Sequence, residues 1–345
     1  MTTRPQSPRL SIVVPTAGRS PHLEACLRAL RSDAGPDAEI LLTVAPQVAV
    51  EAVVAPVALL CDHVLDVPDG FAAANNAAFR IARGQYIACV NDDALVEPGW
   101  SEKLTGLLDR QQRVASVQGL VLRLGAQEVD GAGIGWNSWL QAVQLGHGDN
   151  IPTASSTNRS LGTPRPIFGV SATAAIFRRS ALESLAEREG QDMGPVSASR
   201  PFGDGPFDPR LFAYYEDVDL ALRLHAAGHQ AWLVPEARAR HVGSLTGRRL
   251  PWSGRALIHG NRLMVLARRL HGGDFIASLP RLLLRDLRDA ARHVSAGELR
   301  TAAGVVAGWA RALPRLPGRL FAPGGRLPVG QLHRFPSRLD EVLGV

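Results

Sequence analysis

Residues 86–100 place an apolar run directly before Asn91, Asp92 and Asp93. Adjacent carboxylates repel each other unless a cation lies between or beside them. Mg²⁺ and Mn²⁺ favour oxygen ligands and commonly bind one or two carboxylates together with substrate phosphates. The pattern is therefore consistent with a metal–diphosphate site. A solvated turn after a strand explains the same residues equally well, because Asp and Asn favour turns.

A second acidic group lies at residues 216–219, where Glu216, Asp217 and Asp219 occupy the predicted first turn of a helix. Simple capping is one explanation, since the helix dipole favours negative charge at this end. Three acids in four positions exceed what a cap requires, however. A carboxylate held beside a substrate hydroxyl can act as a general base.

His241 is the third candidate, and it follows a predicted strand at residues 230–235. A lone histidine is more often structural than a ligand. Together with Asp93 it becomes a candidate metal ligand, because imidazole suits Mn²⁺-like metals better than Mg²⁺.

The elements that must position these residues alternate along the first half of the chain. Apolar, β-branched runs predict strands, and leucines at helical spacing predict helices, the first with Ser20 as N-cap and Pro21 at its first position. Such alternation predicts a mostly parallel sheet covered on both faces, which binds ligands beyond the carboxyl ends of its strands. The predicted strands are 10–17, 39–45, 63–68, 85–92 and 116–124, and the predicted helices are 20–32, 71–84 and 98–110.

The second half continues the pattern with longer irregular segments. Residues 167–185 predict a strand leading into a helix, and residues 214–229 a helix. Residues 130–166 and 191–209 are rich in turn-forming residues and predict loops. After residue 246 the chain becomes Arg-rich and helical. We therefore expect a catalytic domain at 1–245 and a helical C-terminal extension at 246–345.

Composition limits the classes of function. The chain has 46% hydrophobic and 20% charged residues, as expected for a folded protein with a sizeable core. Its three cysteines lie far apart in apolar context, and no apolar signal segment follows Met1, so we expect a cytoplasmic protein with reduced thiols. The net charge of +6 is concentrated at residues 246–320, which contain 14 Arg and 4 acids. Few aromatic residues interleave with these arginines, which argues against nucleic-acid binding.

One C-terminal segment is amphipathic. At helical spacing, Leu283, Leu287, Ala290 and Val294 form an apolar stripe, and Arg281, Arg285, Arg288 and Arg292 form a basic one. A basic amphipathic helix can lie on an anionic membrane surface. Packing on the catalytic domain, or in a homodimer interface, explains the same pattern.

Six stretches in order and spacing resemble glycosyltransferase family 2, of the GT-A fold, and most closely its rhamnosyltransferase-like branch. They are "VVPTAGR", "DGFAAANNAAFRIARG", "NDDALVEPGW", "FGVSATAAIFRRS", "FDPRLFAYYEDVDLALRLHAAGH" and "RHVGS". The resemblance covers about residues 9–245.

The resemblance implies an inverting, metal-dependent glycosyltransferase with a UDP- or dTDP-linked sugar donor, with rhamnose as one candidate sugar. The acceptor hydroxyl would belong to a lipid-linked or cell-envelope glycan or to a small molecule, at the inner face of the plasma membrane. The implied roles are as follows: Asp93 and His241 hold Mn²⁺ or Mg²⁺; Asn91 and Asp92 lie against the ribose and sugar; Asp217 is the general base and Glu216 orients it; Pro15, Thr16 and Ala17 line the nucleoside pocket; and Asn75 and Asn76 lie near the donor.

The chain departs from the family pattern after its second strand, where the family has an acid that recognises the nucleobase. Here no acid occurs between Glu39 and Glu51, and Thr43 stands near the expected place. A non-catalytic sugar-nucleotide-binding protein is therefore one alternative. A nucleotidyltransferase is another, although its Gly-rich basic loop is not evident after the first strand.

Overall fold

The structure is a computed structural model that describes residues 7–46, 50–67, 70–151, 162–193, 205–242, 252–322, 324–338 and 341. Most of the predicted loop 191–209 and part of the predicted loop 130–166 lie outside these residues. The strands are β1 (Leu10–Thr16), β2 (Ala38–Val44), β3 (His63–Asp66), β4 (Tyr86–Val90), β5 (Ala94–Val96), β6 (Val114–Arg123), β7 (Val129–Gly131), β8 (Ile134–Trp136), β9 (Ala142–Gln144), β10 (Arg165–Ile167), β11 (Ala174–Arg178) and β12 (Gln230–His241).

Helices cover both faces of the sheet and form the C-terminal region. They are α1 (Leu23–Ala34), α2 (Val50–Val54), α3 (Phe71–Phe79), α4 (Trp100–Arg110), α5 (Arg179–Met193), α6 (Glu216–Ala226), α7 (Trp252–Arg269), α8 (Gly272–Ser295), α9 (Leu299–Ala312) and α10 (Leu316–Leu320). No helix among the described residues is both long and apolar enough to cross a bilayer.

The main sheet runs in the order β10-β12-β6-β11-β4-β1-β2-β3, with β5 added beside β12 and β7 beside β6. Strands β3, β2, β1 and β4 are parallel, as are β6 and β12, whereas β11 is antiparallel to both of its neighbours. The predicted α/β class, a mostly parallel sheet with helices on both faces, is confirmed, and the antiparallel strands make the sheet mixed.

Alternation along the strands separates two apolar layers. Ile12 and Val14 pack with α1 and α4, while Val13 packs with α3, α5 and α6 on the opposite face. Because these strands are covered on both sides, nearly every residue is buried, which explains their continuous apolar sequence.

A third apolar cluster joins the C-terminal helices to the rest of the chain. It contains Val218 and Leu222 on the outer side of α6, Phe168, and residues of α7 to α10 such as Leu263. Residues on both sides of position 246 therefore share one buried cluster.

An irregularity in β12 requires a glycine in β6. The register of the pair shifts between Val234 and Arg238, and the carbonyl oxygen of Ala237 lies only 2.0 Å from where a Cβ on Gly119 would be. Gly119 thus lets the bulged backbone of β12 approach β6 closely.

Several predicted boundaries are wrong for identifiable reasons. Helix α1 begins at Leu23, three residues after Ser20, whose hydroxyl accepts from the N–H of His22 and donates to the Asp92 carbonyl, both at 3.2 Å. Helix α3 ends at Phe79, before residue 84, because the backbone N–H groups of Arg83 and Gly84 donate to the buried side chains of Glu39 and Ser11.

Two predicted segments contain more strand than expected. Residues 130–166 were predicted as a loop but contribute β8, β9 and most of β7 and β10. The strand predicted at 230–235 continues to His241 as part of β12. In both cases pairing with distant strands supplies the hydrogen bonds that local sequence does not reveal.

Candidate active site

A cleft of about 1040 Å³ opens beyond the ends of β4 and β12 and the first turn of α6. Asn91, Asp130, Glu216, Asp217 and His241 line it. Three separate chain segments therefore bring four predicted site residues to one cavity: Asn91, Glu216, Asp217 and His241. The location agrees with the rule that open α/β sheets bind ligands beyond the carboxyl ends of their strands.

Asp93 and His241 are joined by the pairing of β5 with β12. Ala94, which follows Asp93, pairs with His241 itself, and the N–H of Val242 donates to the Asp93 carbonyl at 3.3 Å. This pairing holds His241 Nε2 at 3.0 Å from Asp93 Oδ1. Two residues that lie far apart in sequence thus form a fixed pair at the mouth of the cleft.

Asp130 contacts the other ring nitrogen of His241, and it was not among the residues predicted from the sequence. It lies in the middle of β7, and its Oδ2 is 2.8 Å from His241 Nδ1. The only sequence signal was an acid between apolar residues and glycines in a segment that was predicted to be a loop. A carboxylate on the second ring nitrogen fixes the orientation of a histidine that binds a ligand through the first.

The two carboxylates decide the charge of His241. Burial alone would lower its pKa, but the hydrogen bonds to Asp130 and Asp93 outweigh burial and raise the pKa to about 9. The same bond to His241 outweighs burial at Asp130 and lowers the pKa of that carboxyl. Without a bound cation, the ring is therefore protonated at neutral pH and held between the two carboxyl groups.

The donor atoms of this pair fit a divalent metal. Asp93 Oδ1 and His241 Nε2 lie 3.0 Å apart, and a carboxylate oxygen together with an imidazole nitrogen is a donor set that suits Mn²⁺. Within the described part of the chain, no group of three or more His, Cys, Asp or Glu side chains is arranged around one metal position. A metal here would take its remaining ligands from substrate phosphates and water.

Asp92 faces the end of β1 rather than the cleft. The Thr16 hydroxyl donates to its Oδ2 at 2.5 Å. Burial raises the pKa of Asp92, and the Thr16 hydrogen bond opposes that shift. Pro15 is half-buried and Ala17 is exposed at the same strand end. These residues form a surface directly beside Asp93.

Asn75 and Asn76 are buried inside the structure. Asn75 donates to the Phe71 carbonyl of its own helix, and its Oδ1 has no partner among the described residues. Asn76 exchanges two hydrogen bonds with the backbone of Phe207, at 2.8 and 3.0 Å. The side chain of Asn76 therefore holds the segment before α6 against α3.

Glu216 and Asp217 begin α6 at the cleft wall. Asp217 is half-buried, and its carboxylate accepts from the N–H of Val218 at 2.8 Å and from Ser171 and Ala172. Burial raises the pKa of Asp217 to about 6 despite these bonds. Burial, and next the Asp217 charge, raise the pKa of Glu216 to about 8. The pair therefore offers one ionised carboxylate near neutral pH.

Asp219, the third acid of this group, does not face the cleft. It is fully buried, with Arg223 Nε at 2.9 Å and Arg269 Nε at 2.7 Å. Burial alone would raise its pKa, but Arg269 and Arg223 outweigh it and lower the pKa. Asp219 therefore links α6 to α7. Of the three acids at the start of this helix, Glu216 and Asp217 line the cleft and Asp219 binds arginines in the interior.

The turn before α6 is strained. Phe212, Tyr214 and Tyr215 have positive φ angles of 64°, 68° and 71°. Such conformations cost on the order of 1–3 kcal/mol for each non-glycine residue and persist only where the surrounding structure holds them. Strain is thus concentrated immediately before the two acids that line the cleft.

Comparison with known proteins gives the family. A sequence profile of the family described as glycosyl transferase family 2 matches residues 11–186. No curated protein matches the chain significantly. The profile covers half of the chain, β1 to β4 and the Asn91–Asp93 segment included, and the chain therefore belongs to glycosyl transferase family 2.

Solved structures support the fold. The chain is similar to the crystal structure of GalNAc-T7 with UDP, GalNAc and Mn²⁺, with a TM-score of 0.54 and 14% identity over 76% of this chain. It spans about half of that protein, 48%. A mannosyltransferase from Pyrobaculum calidifontis in complex with GDP-Man and Mn²⁺ matches with a TM-score of 0.47 and 15% identity, over 89% of this chain and 87% of that one. At such identities the first likeness shows the GT-A fold alone.

Proposed function

We propose that this glycosyltransferase moves a sugar from a nucleoside diphosphate donor to an acceptor hydroxyl with inversion at the anomeric carbon. One observation carries the proposal. His241, its partner Asp130 and the half-buried Asp217 line the same cleft beyond the ends of the strands, and Asp93 lies 3.0 Å from His241. A diphosphate-binding end and a proton-accepting group are thus available to one bound donor.

Asp217 acts as the general base in this proposal. It accepts the proton of the acceptor hydroxyl while the hydroxyl oxygen attacks the anomeric carbon. The bond from that carbon to the diphosphate breaks, and its electron pair leaves with the nucleoside diphosphate. A single displacement inverts the configuration and needs no covalent intermediate. Asp217 lines the cleft, and the N–H of Val218 holds its carboxylate at 2.8 Å.

Asp93 and His241 would hold Mn²⁺ or Mg²⁺, and Asp130 would keep the His241 ring aligned. When bound, the metal would neutralise charge that develops on the diphosphate leaving group. Thr16 and Asp92, with Pro15 and Ala17, would form the wall for the nucleoside, and Asn91 would lie against the sugar. The structure of GalNAc-T7, which has a similar fold, contains UDP, GalNAc and Mn²⁺, and this supports the choice of a nucleotide-linked donor and a divalent metal.

The donor would be UDP- or dTDP-linked, with rhamnose as the first sugar to test. Thr43 is fully buried in β2, and its hydroxyl has no partner among the described residues. It pairs in register with Pro15 at the proposed nucleoside wall. A buried hydroxyl cannot replace a carboxylate as an acceptor for a nucleobase N–H, so we expect base selectivity to be weak.

Donor turnover tests the proposal. UDP-, dTDP- and GDP-sugars would be incubated with the protein and Mn²⁺, and the released nucleoside diphosphate measured with and without an acceptor alcohol. We expect turnover with at least one donor. Because one base carries the proton transfer, Asp217→Asn should lower kcat by at least about 10²-fold and leave nucleoside diphosphate affinity unchanged. Ser184→Ala, on α5, is the control.

Two other outcomes would reject the proposal. Donor binding without turnover in either form would indicate a non-catalytic binding protein. Release of pyrophosphate from a nucleoside triphosphate and a sugar phosphate would indicate a nucleotidyltransferase.

The C-terminal helices supply a partner surface. Helices α8 and α9 each expose apolar side chains along one side, and we call these residues the exposed stripe. Its members are Ile276, Leu283, Leu284, Leu287 and Val294 on α8, Leu299 and Val306 on α9, and Leu313 directly after α9, which are 44–66% exposed. Of the four residues in the apolar pattern predicted for α8, Leu283, Leu287 and Val294 are exposed and Ala290 is half-buried.

We propose that an anionic lipid surface covers the exposed stripe, at the cytoplasmic face of the membrane that would hold a lipid-linked acceptor. Arg288 and Arg292 are exposed beside the stripe on α8. The acids nearby are already engaged, Asp286 by Arg262 and Glu298 by His293. A second copy of the chain would therefore set arginines against arginines without free carboxylates, whereas phosphate headgroups complement them and acyl chains receive the leucines.

Vesicle co-sedimentation tests this surface on the full chain. We expect sedimentation with phosphatidylglycerol vesicles, little with phosphatidylcholine, and a decrease at high salt. Leu283→Glu with Leu287→Glu should abolish it. Leu59→Glu, at a fully exposed leucine far from the stripe, is the matched control and should have no effect. Unchanged sedimentation of the double variant, or a lipid-free dimer that this variant dissociates, would contradict the proposal.

A further inference from the structure

The two acids at the start of α6 depend on the strained turn that precedes them. Tyr215, with a φ of 71°, is the residue immediately before Glu216, and it makes no side-chain capping bond to the helix. Tyr214 and Phe212 are also in the left-handed region. Side chains other than glycine avoid this region, so contacts from outside the turn must maintain it.

Asn261 on α7 provides such contacts. Its side chain is fully buried, and its Nδ2 donates to the carbonyl oxygens of Leu211 at 2.9 Å, Ala213 at 2.9 Å and Tyr214 at 2.8 Å. An amide nitrogen carries two hydrogens, so the three carbonyls share them. One side chain thus ties together the backbone of the whole strained turn.

Arg311 on α9 fixes the orientation of that amide. Its Nη1 donates to Asn261 Oδ1 at 2.7 Å. The oxygen of the amide therefore faces a donor and the nitrogen faces acceptors, and a flipped amide would lose every one of these bonds.

Two glycines allow α9 to reach this position. A Cβ on Gly260, next to Asn261, would lie 2.9 Å from the Gly308 carbonyl oxygen, and a Cβ on Gly308 would lie 2.7 Å from the His259 Cβ. Helices α7 and α9 therefore cross in backbone contact beside Asn261. Any larger residue at the crossing would move Arg311 away from the amide.

We infer that Asn261 is a positioning residue for Asp217, and that Arg311 orients Asn261 for this task, an inference that rests on the proposed role of Asp217 as general base. Asn261 and Arg311 thereby contribute to catalysis without themselves lining the cleft. Asn261 sets the geometry of the turn, the turn sets the first residues of α6, and the carboxylate of Asp217 meets the acceptor hydroxyl at the correct place.

Four variants of the full chain test the inference. Asn261→Ala removes the three bonds, and Asn261→Asp, nearly identical in shape, sets a carboxylate oxygen against the three carbonyls. Arg311→Gln removes the hydrogen bond to the Asn261 amide from a half-buried position on α9 and leaves the buried Asn261 side chain in place. Arg315→Gln is the matched control, because this exposed arginine bonds only to the Arg311 carbonyl among the hydrogen bonds described.

We expect kcat to fall by at least about tenfold in both Asn261 variants, since small misplacements of a catalytic group cost this much or more. KM for the donor should stay within about twofold. Arg311→Gln should shift kcat in the same direction by a smaller factor, and Arg315→Gln should match the unaltered protein. Amide hydrogen exchange over residues 209–220 should accelerate in the first three variants alone.

The results distinguish failure of the positioning role of Asn261 from failure of the proposed function. A kcat within twofold of the unaltered protein for Asn261→Ala and Arg311→Gln, in a protein that Asp217→Asn inactivates, would overturn the inference. Equal losses of kcat and donor affinity would also overturn it, because they indicate general loss of structure. If no donor is turned over at all, the proposed function fails. Unchanged hydrogen exchange in Arg311→Gln then rejects the link to the turn, and faster exchange supports it.

Discussion

Asp217 and Glu216 are neighbours in the chain but differ in charge near neutral pH. With pKa values of about 6 and about 8, Asp217 is ionised and Glu216 is protonated at pH 7. Burial is the first cause of both shifts. In the proposed mechanism the pair would supply a base and a neutral neighbour that does not repel the negative charge developing on the acceptor oxygen.

The pH dependence of turnover should reveal this division. A base must be ionised to act, so kcat/KM should fall about tenfold per pH unit below the pKa of Asp217, which is about 6. Glu216→Gln copies the protonated form of Glu216 and should retain most activity at pH 7. Steady-state rates from pH 5 to 9 check both statements. A Glu216→Gln variant as inactive as Asp217→Asn would contradict them.

Asp130 gives a second prediction at the scale of single residues. Its carboxylate holds the ring of His241 from the side opposite Asp93. Asp130→Asn keeps the shape but weakens this hold, and losses of about 10–100-fold in metal affinity are typical for such partners. Calorimetric titration with MnCl₂ in the presence of UDP measures the effect. Glu128→Gln, two residues earlier in the chain, is the control, and an equal loss in both variants would contradict a specific role.

At the scale of elements, the sequence predicts what local patterns determine. Uniformly apolar runs predict β1, β2 and β4, and their ends correctly locate Asn91 to Asp93. Leucine spacing predicts α1 and α4. The three-residue strand β7 has no such pattern, because its stability comes from pairing with β6. Asp130 was therefore unrecognisable as a partner of His241, and Asp219 could not be distinguished from a cleft residue without its distant partner Arg269.

Gly119 offers a test of how one element positions the site. An added Cβ would clash with the Ala237 carbonyl at 2.0 Å, and that bulge precedes His241 on the same strand. We expect Gly119→Ala to lower the free energy of unfolding by at least about 1–3 kcal/mol. Urea denaturation measures this loss.

The control for this test is a glycine with room for a methyl group. At Gly106 on α4, an added Cβ would meet only the flexible end of Arg110, at 3.4 Å. Gly106→Ala should be neutral or should stabilise by up to about 1 kcal/mol, as in other helix interiors. Equal destabilisation by both substitutions would contradict the role of Gly119.

At the scale of the whole molecule, the third apolar cluster contains residues from both sides of the predicted domain boundary at residue 245. Val218 and Leu222 of α6 pack against α7, and Asp219 pairs with Arg269 across the same contact. Residues 1–245 alone would expose this apolar face and leave Asp219 with half of its partners. We expect that fragment to lack a cooperative thermal transition by circular dichroism. A sharp transition near that of the full chain would instead show an independent folding unit.

The pairing of β5 with β12 has a consequence for biosynthesis. Asp93 emerges from the ribosome early, whereas His241 ends the last strand of the described sheet. A nascent chain that stops before residue 230 contains Asp93 and Asp130 but lacks the His241 ring that lies between their carboxyl groups. Such a long-range closure is slow compared with local helix formation. A ligand that bound the completed pair would therefore recognise only chains in which translation has passed this point, and by mass action it would protect those chains against unfolding.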